Sequence, residues 1–376
     1  MSRGKKPVAV DLFSGAGGMS LGFKQAGFDV VAAFDYNPRC VAAHADNFPR
    51  SKSVNVDLAK ATGKELRRLG GLGTKRIDVL FGGPPCGGFS VAGQRDPADP
   101  RNKLLIQFGK LVGELRPSFF VLENVRGLLI GDATRVLAKF RRTVEKAGYD
   151  IVWPARILNA VDYGVPQRRE RIFILGCRSG LHLPSYPTAT TPADGDRRVT
   201  VADAIGDLAV IDQYVNRIDG DRYDGPLGEA SEYAVRLLAG HDGQRRRDKR
   251  SRRRHVTLTG CLRVDHTAEA VSRFSETKPG TREQISRSYR LAYDGQSPTL
   301  RAGTDLEHGK FTAVRPIHPG NPRCITVREA ARLHSFPDWF VFHPTKWHGF
   351  MQIGNSVPPL LAKSVARSVM AAIDAS

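Results

Sequence analysis

No stretch of about 18 consecutive apolar residues occurs in the 376-residue chain, so no bilayer-spanning helix is encoded. The start, Met1-Ser2-Arg3-Gly4-Lys5-Lys6, runs into Val8-Ala9-Val10-Asp11, too short an apolar run for a secretory signal, and a cytoplasmic protein is expected. The five cysteines (Cys40, Cys86, Cys177, Cys261, Cys324) are odd in number, widely spread and contain no C-x-x-C. That pattern encodes neither a disulfide framework nor a zinc site, and no metal is expected. Internal repeats and heptad arrays are lacking too. Any special cysteine must act alone.

What the chain has in excess is positive charge: 57 Lys+Arg against 38 Asp+Glu, a formal +19. The charge is not a tail, because residues 1–184 carry +13 and 323–376 carry +3. Between them, 185–240 carry −5 and 241–322 carry +8, much of it in the run Arg245–Arg254. Such a balance proposes an acidic partner, nucleic acid among others, since polyphosphates and anionic membranes attract the same residues. Length predicts two domains or one large one at ~150 residues per domain, and 41% hydrophobic with 25% charged residues is ordinary globular composition.

Short apolar runs, Val8–Phe13, Val30–Phe34, Ile77–Phe81 and Phe119–Leu122, alternate with longer helical patterns over the first 184 residues. This rhythm predicts an α/β fold with a doubly wound, mostly parallel sheet, to which Arg171–Cys177 adds one more strand. After Leu183-Pro184-Ser185-Tyr186-Pro187 the texture turns to Thr, Asp, Gly and Arg until about Pro322, which reads as a second, inserted domain. Helical periodicity resumes at Val327–Leu333, and an amphipathic helix follows Pro358-Pro359. The expected division is 1–184 plus 352–376 as one domain, 185–322 as a smaller one, and 323–351 as a hinge.

Asp11-Leu12-Phe13-Ser14-Gly15-Ala16-Gly17-Gly18 leaves a strand, turns through glycines and enters a helix, which lets backbone N–H groups approach a ligand. Asp35 ends the next strand, where a carboxylate can accept both ribose hydroxyls of a nucleoside cofactor, and Asp57 follows Val54 and Val56. Helix-capping acids would look the same, and NAD asks for the same carboxylate. Asn355 and Val357 reach this pocket only if the C-terminal helix folds back onto the first domain.

Strand Ile77–Phe81 stops at Gly82-Gly83-Pro84-Pro85-Cys86, setting Cys86 on a stiff loop at the carboxyl edge of the sheet, where α/β enzymes bind ligands. Phe119–Leu122 ends at the same edge in Glu123-Asn124-Val125. Gln167, Arg169 and Arg171, spaced at two residues, point to one face of an extended segment while Arg168 and Glu170 point to the other. Two arginines beside a carboxylate would make an oriented polar cluster.

Taken in order, Asp11–Phe23, Gly83–Ser90, Glu123–Val125, Gln167–Arg171, Arg323–Phe340 and Gly354–Val357 resemble the motifs of the prokaryotic-type DNA (cytosine-5) methyltransferase family. The resemblance covers residues 8–178 and about 289–370. It implies a Rossmann-like methyltransferase fold with an inserted target-recognition domain, and S-adenosylmethionine as cofactor, with Phe13, Gly15, Gly17, Gly18, Asp35, Tyr36, Asp57, Leu58, Leu104, Asn355 and Val357 around it. It implies Cys86 as a nucleophile toward C6 of a flipped cytosine, Glu123 holding the proton on N3, Arg171 on O2 and Arg169 helping to stabilise the thiolate. Water or hydroxide is left to remove the C5 proton.

Two positions depart from the family: Asp35 stands where Glu is usual, and Gly87 where Gln follows the cysteine. The partner implied is double-stranded DNA, with a monomeric enzyme that works beside a restriction endonuclease or alone and does not engage a membrane. A tRNA cytosine-5 methyltransferase is the alternative within the fold. A catalytically silent, cofactor-gated DNA-binding protein is the alternative outside the enzyme class, although it is expected to lose Cys86, Glu123 or Arg171. The long segment Gly87–Lys103 is expected to be a lid over the extruded base. In the middle domain Arg245–Arg254 is expected to contact phosphates, and His255, Thr257, Thr259, Arg263 and Arg301 to read bases.

Overall fold

The computed structural model describes residues 6–85, 102–191, 198–239, 255–303 and 315–376. Cys86, Gly87, most of the expected lid and the run Arg245–Arg254 lie outside the described residues. The chain forms two compact units: Met1–Asn159, Glu170–Ala189 and Pro359–Ser376 make the first, Ala160–Arg169 and Thr190–Pro358 the second.

The first unit is built on strands β1 (Val8–Leu12), β2 (Asp29–Asp35), β3 (Lys52–Asn55), β4 (Val79–Gly82), β5 (Phe119–Val125), β6 (Tyr149–Ile151), β7 (Arg156–Asn159) and β8 (Glu170–Arg178). Their order is β3-β2-β1-β4-β5-β8-β6, with β7 also on β8. The first five are parallel, while β8 runs antiparallel to β5. Strands buried on both faces explain why β1, β4 and β5 read as apolar runs rather than alternating ones. Helices α1 (Gly18–Ala26), α2 (Pro38–Asn47), α3 (Gly63–Leu69), α4 (Asn102–Leu115) and α5 (Ala133–Lys146) follow successive strands. The order reverses between β1 and β4, so their carboxyl ends open the crevice in which such sheets hold ligands.

The last helix, α11 (Pro359–Asp374), packs along α1 in this same unit, so the C-terminal helix does fold back onto the first domain. Gly22 permits the approach: a Cβ there would lie 2.4 Å from the Cβ of Ala362 and 2.7 Å from the amide nitrogen of Lys363. Leu361, Ala362, Val365, Ala366 and Val369 of α11 are buried.

The second unit has a small antiparallel sheet, β9 (Ile218–Asp219), β10 (Arg222–Pro226) and β11 (His255–Thr259), and helices α6 (Val201–Ile205), α7 (Glu232–Leu237), α8 (Ala268–Glu276), α9 (Val327–Leu333) and α10 (Lys346–Asn355). Its interior is unusually charged. Helix α9 starts with a reciprocal cap, Thr326 accepting from the amide of Glu329 and Glu329 accepting from that of Thr326, yet every residue of the helix is buried. Arg323 bridges Glu329 and Asp212, Arg332 bridges Asp338 (2.8 Å) and Asp207, and Arg328 donates to carbonyls of Thr259, Pro337 and Phe340. Residues 323–351, expected as a hinge, therefore sit inside this unit, with Arg323 and both arginines of α9 matched by carboxylates or carbonyls.

Candidate active site

Three loops gather at the carboxyl edge of the first unit's sheet. After β1 the backbone enters the left-handed region at Phe13 (φ 60°), Gly15 (φ 52°) and Gly17 (φ 106°) before α1 begins. Gly17 is required on the helix side, where a Cβ would lie 2.4 Å from the Phe48 ring, whereas nothing lies within 4 Å of a Cβ at Gly15. The turn is tied to β2: Ser14 N–H donates to the Phe34 carbonyl, and Gly15 N–H donates to Asp35 Oδ2 at 2.8 Å. Asp35 Oδ1 accepts from Asn37 N–H at 2.8 Å, so the carboxylate holds the turn and the start of α2 together. Burial pushes the Asp35 carboxyl up, and these backbone donors pull it part of the way back.

Tyr36 is 68% exposed beside Asp35, and Asp57 is exposed at the end of the next strand with Leu58 buried behind it. Leu104 is half-buried on α4 and Gly18 starts α1. Open space at Gly15, the Asp35 carboxylate held by two backbone N–H groups, the exposed Tyr36 ring and exposed Asp57 thus follow the carboxyl ends of β1, β2 and β3. Asn355 and Val357 belong to the second unit.

Beneath the glycine turn is a polar chain that sequence reading missed. Asp11, buried at the end of β1, accepts from Ser20 Oγ (2.6 Å); Ser20 Oγ meets His44 Nε2 (3.0 Å), and His44 Nδ1 meets Ser53 Oγ (2.7 Å). The one consistent direction that ends on a carboxylate has Ser53 donating to Nδ1, Nε2–H to Ser20 and Ser20 to Asp11. Burial pushes the Asp11 carboxyl up, chiefly through desolvation, and pulls His44 down to about 3. Ser20, His44 and Ser53 lie 24 and 9 residues apart, a spacing that carries no local signal.

The second and third loops bring Glu123, Arg171 and the Gly83-Pro84 backbone together. Glu123 and Arg171 are diagonal neighbours on adjacent strands, because Glu123 pairs with Phe173 and Val125 with Arg171. Arg171 Nε lies 2.9 Å from Glu123 Oε1, with both side chains nearly buried. Burial lowers the Arg171 guanidinium from its ordinary value, and Glu123 offsets this.

The loop before Cys86 is gripped by the same strand. Asn124 Nδ2 donates to the Pro84 carbonyl at 3.0 Å, and a Cβ on Gly83 would fall 2.5 Å from Glu123 Oε2. Gly83 is thus the residue that lets the carboxylate lie against the backbone leading to the cysteine. The other four cysteines are buried, and burial raises Cys40 and Cys261 to about 12 and Cys177 and Cys324 to about 11. None of these four is placed to act as a thiolate.

The expected alternation of Gln167 to Arg171 holds in burial: Gln167 and Arg169 are fully buried, Arg168 and Glu170 exposed. The targets differ from those expected. Arg171 meets Glu123, whereas Arg169, in the second unit, donates to the carbonyls of Leu300 (2.9 Å), Gly354 (2.6 Å) and Ser356 (2.8 Å). Those last two flank Asn355, so Arg169 clamps the Gly354-Asn355-Ser356 turn. Gln167 accepts from Leu300 N–H and bonds His334, whose Nε2 reaches the Ser356 carbonyl.

Two expected base readers are engaged inside the second unit. Arg263 pairs with Asp212 at 2.7 Å, and Thr259 accepts from Arg328. Thr257 donates to Asp224 at an exposed position, Arg301 is exposed, and the side chain of His255 lies outside the described residues.

The sequence profile of the family described as C-5 cytosine-specific DNA methylase matches residues 8–371. The type II methyltransferase M.XorII of Xanthomonas oryzae pv. oryzae is 48% identical over 368 residues, which is 98% of this chain and 85% of that protein. M.AgeI of Thalassovita gelatinovora, also a type II methyltransferase, is 30% identical over 97% of this chain and 99% of its own length. A crystal structure of a prophage-encoded E. coli protein, described as a DNA modification methyltransferase, superposes with a TM-score of 0.81 at 34% identity, covering 98% of this chain and 100% of the other.

Proposed function

The chain belongs to the C-5 cytosine-specific DNA methylase family, and from that premise we propose how its residues divide the work of placing a methyl group on C5 of a DNA cytosine. Cys86 is the nucleophile, Glu123 the group that meets N3 and the exocyclic amine, and Arg171 the cation that orients Glu123 and faces O2. The observation that carries this reading is the grip of one strand on the other's loop: Asn124 bonds the Pro84 carbonyl while Gly83 admits the Glu123 carboxylate. It makes Glu123 and the approach to Cys86 parts of one rigid assembly.

Cytosine C5 is too weak a nucleophile to take a methyl group from a sulfonium. Attack of the Cys86 thiolate forms an S–C6 bond and moves the ring's C5=C6 electron pair toward N3. A proton held there by Glu123 keeps that charge from building up. Arg171 keeps the Glu123 carboxyl aimed and opposes charge at O2. Once C5 carries the transferred methyl group, loss of its proton to water expels Cys86 and restores the C5=C6 bond. A base inside a stacked duplex exposes neither C6 face, so the cytosine must leave the stack, at a cost of a few kcal/mol.

The donor in this family is S-adenosylmethionine, which supplies a methyl group on a cationic sulfur. The Phe13–Gly18 turn fits it, with Gly15 open to a ligand, Asp35 fixed for the ribose, Tyr36 as a face for the adenine, and Asp57, Leu58 and Leu104 alongside. Asp35 is one methylene shorter than the usual Glu, and both its oxygens already accept backbone N–H groups, which leaves each a further lone pair for a hydroxyl. The family resemblance adds Asn355 and Val357 to the cofactor residues, and Arg169 holds the turn that carries them.

We assign 185–322 to target recognition and 1–184 with 352–376 to catalysis, with double-stranded DNA as substrate and the monomer as the working form. Its type II relatives support a role beside a cognate restriction endonuclease in the cytoplasm. No described helix is long and apolar enough to cross a membrane.

Incubation with labelled S-adenosylmethionine and either plasmid duplex or tRNA, followed by nucleoside mass spectrometry, tests the assignment. 5-Methylcytosine is expected in the DNA only, and Cys86→Ser should form none while still binding duplex. Product from Cys86→Ser, or methylation confined to tRNA, would overturn it.

A further inference from the structure

Ile285 is 71% exposed, the highest value among the exposed large hydrophobic side chains of the described residues. An isolated exposed aliphatic is ordinary, but this one stands at the tip of a turn whose backbone is locked. The base of the turn is an antiparallel bridge between Arg282 and Tyr289, with Gly280 N–H donating to the Arg290 carbonyl and Arg290 N–H to that of Thr281. The Arg290 guanidinium anchors the base further, donating to carbonyls of Phe274, Thr277 and Pro319.

Inside the turn, buried Glu283 accepts from the amides of both Ile285 and Ser286 and pairs with Arg273. Arg282 Nη1 closes it by donating to the Arg287 carbonyl, and Arg287 itself is held at φ 59°, a left-handed conformation that disfavours a side chain. The turn's single carboxylate is therefore spent inward. What faces outward is Gln284, Ile285 and the two exposed cations Arg282 and Arg287. A rigid loop that keeps an apolar tip between two positive charges, at the expense of a strained arginine, is arranged for a polyanion with an apolar and hydrogen-bonding interior.

We propose that the Arg282–Arg287 turn enters a groove of the DNA substrate, with Ile285 and Gln284 against base edges and Arg282 and Arg287 on the flanking phosphates. The proposal rests on the DNA cytosine methylation read above. Gln presents the donor–acceptor pair that matches adenine N6 and N7, and an aliphatic side chain matches the thymine methyl group, so the positions read by this turn are A·T pairs. Preorganisation matters because a tip that is already ordered loses little entropy on binding. With Arg263 and Thr259 committed inside the unit, this turn takes over part of the reading expected of them.

The full-length protein is compared with Ile285→Ala, Gln284→Ala and Arg287→Gly in two assays. The first is methylation of plasmid DNA and of a randomised duplex pool, read by conversion sequencing; the second is binding of 40-base-pair duplexes at several salt concentrations. Glycine is favoured at φ 59°, so Arg287→Gly should leave Tm unchanged or raised, and any loss of binding belongs to the missing cation.

The proposal expects kcat/KM for DNA to fall about 5- to 150-fold in Ile285→Ala and Gln284→Ala, with relaxed preference at one or two positions of the methylated site and an unchanged KM for S-adenosylmethionine. It expects the slope of log K against log salt to shrink by about 0.9 in Arg287→Gly. Wild-type kcat/KM, site preference and salt slope in all three variants would overturn it. A wild-type protein that forms no 5-methylcytosine would overturn the underlying activity instead, and the binding assay alone would then judge the turn.

Discussion

Arg171 sets its Nε 2.9 Å from Glu123 Oε1 across two antiparallel strands, and the same carboxyl group lies against Gly83, three residues before Cys86. Replacing Glu123 by Gln keeps the shape and removes both the charge partner and the proton site. Methylation in a single turnover should slow by about 10²- to 10⁴-fold with the KM for DNA changed only a few-fold. A variant that retains more than a tenth of the wild-type rate would show that Glu123 is not the group at N3.

Gly83 offers a second, independent check on the same corner. An alanine Cβ would collide with Glu123 Oε2. Gly83→Ala should therefore lower kcat at least tenfold while leaving Tm within a few degrees, because the carboxyl group can swing away but not stay aligned. Equal activity would mean that the carboxyl position is not critical.

The contact of Gly22 with Ala362 predicts a purely structural loss. Gly22→Leu forces α1 and α11 apart and should cost about 1–3 kcal/mol, read as a lowered urea midpoint.

Arg332 is fully buried between Asp338 and Asp207. Arg332→Ala leaves Asp207 without this cation and Asp338 with Arg328 alone, at 3.8 Å, and should cost about 3–5 kcal/mol, whereas the triple change that also makes Asp207 and Asp338 Asn should recover part of it. If the triple variant is no more stable than the single one, the network is not the source of the loss.

His44 gives a pH signature. Its folded pKa of about 3 lies below the ordinary value, so below pH 6.5 the unfolded chain binds a proton that the native chain refuses. Its contribution is whole above that pH and is lost progressively as pH falls toward 3, at about 1.4 kcal/mol per unit, or about 2 kcal/mol by pH 5. Asp11 and Asp35, raised by burial, act in the opposite sense, so the effect is read as the difference between wild type and His44→Gln. That difference should shrink as pH falls; a constant difference from pH 7.5 to 5 would exclude it.

The first unit was largely legible because its signals are local. Apolar runs ending in Gly, Asp or Glu mark parallel strands whose carboxyl ends share an edge, and β1, β2, β4 and β5 appear where the pattern set them. The Glu123–Arg171 pair followed from strand-end position and alternation. What stayed hidden depends on long-range pairing. Arg169 has the same period as Arg171, yet its hydrogen bonds go to carbonyls about 131 to 187 residues away, which no spacing rule reaches. Arg328, Glu329 and Arg332 look like a solvated helix face in sequence, and only the positions of Asp207, Asp212 and Asp338 turn that face inward. The polar chain through His44 escaped for a related reason: two serines and a histidine carry no period until three elements meet.

The packing of α11 on α1 joins segments some 340 residues apart, and this sets an order of events during synthesis. At ~5–20 residues per second, α1 leaves the ribosome roughly 20–70 s before its covering helix exists. Through that interval the face around Gly22 has no native partner, and the glycine turn at its head lacks the support that the finished helix pair supplies. Ribosome-bound chains stalled before Pro359 should accordingly be cut within α1 by protease, and chains released after Asp374 should resist. A cell making this enzyme would thus hold off its methylating activity until translation is nearly done.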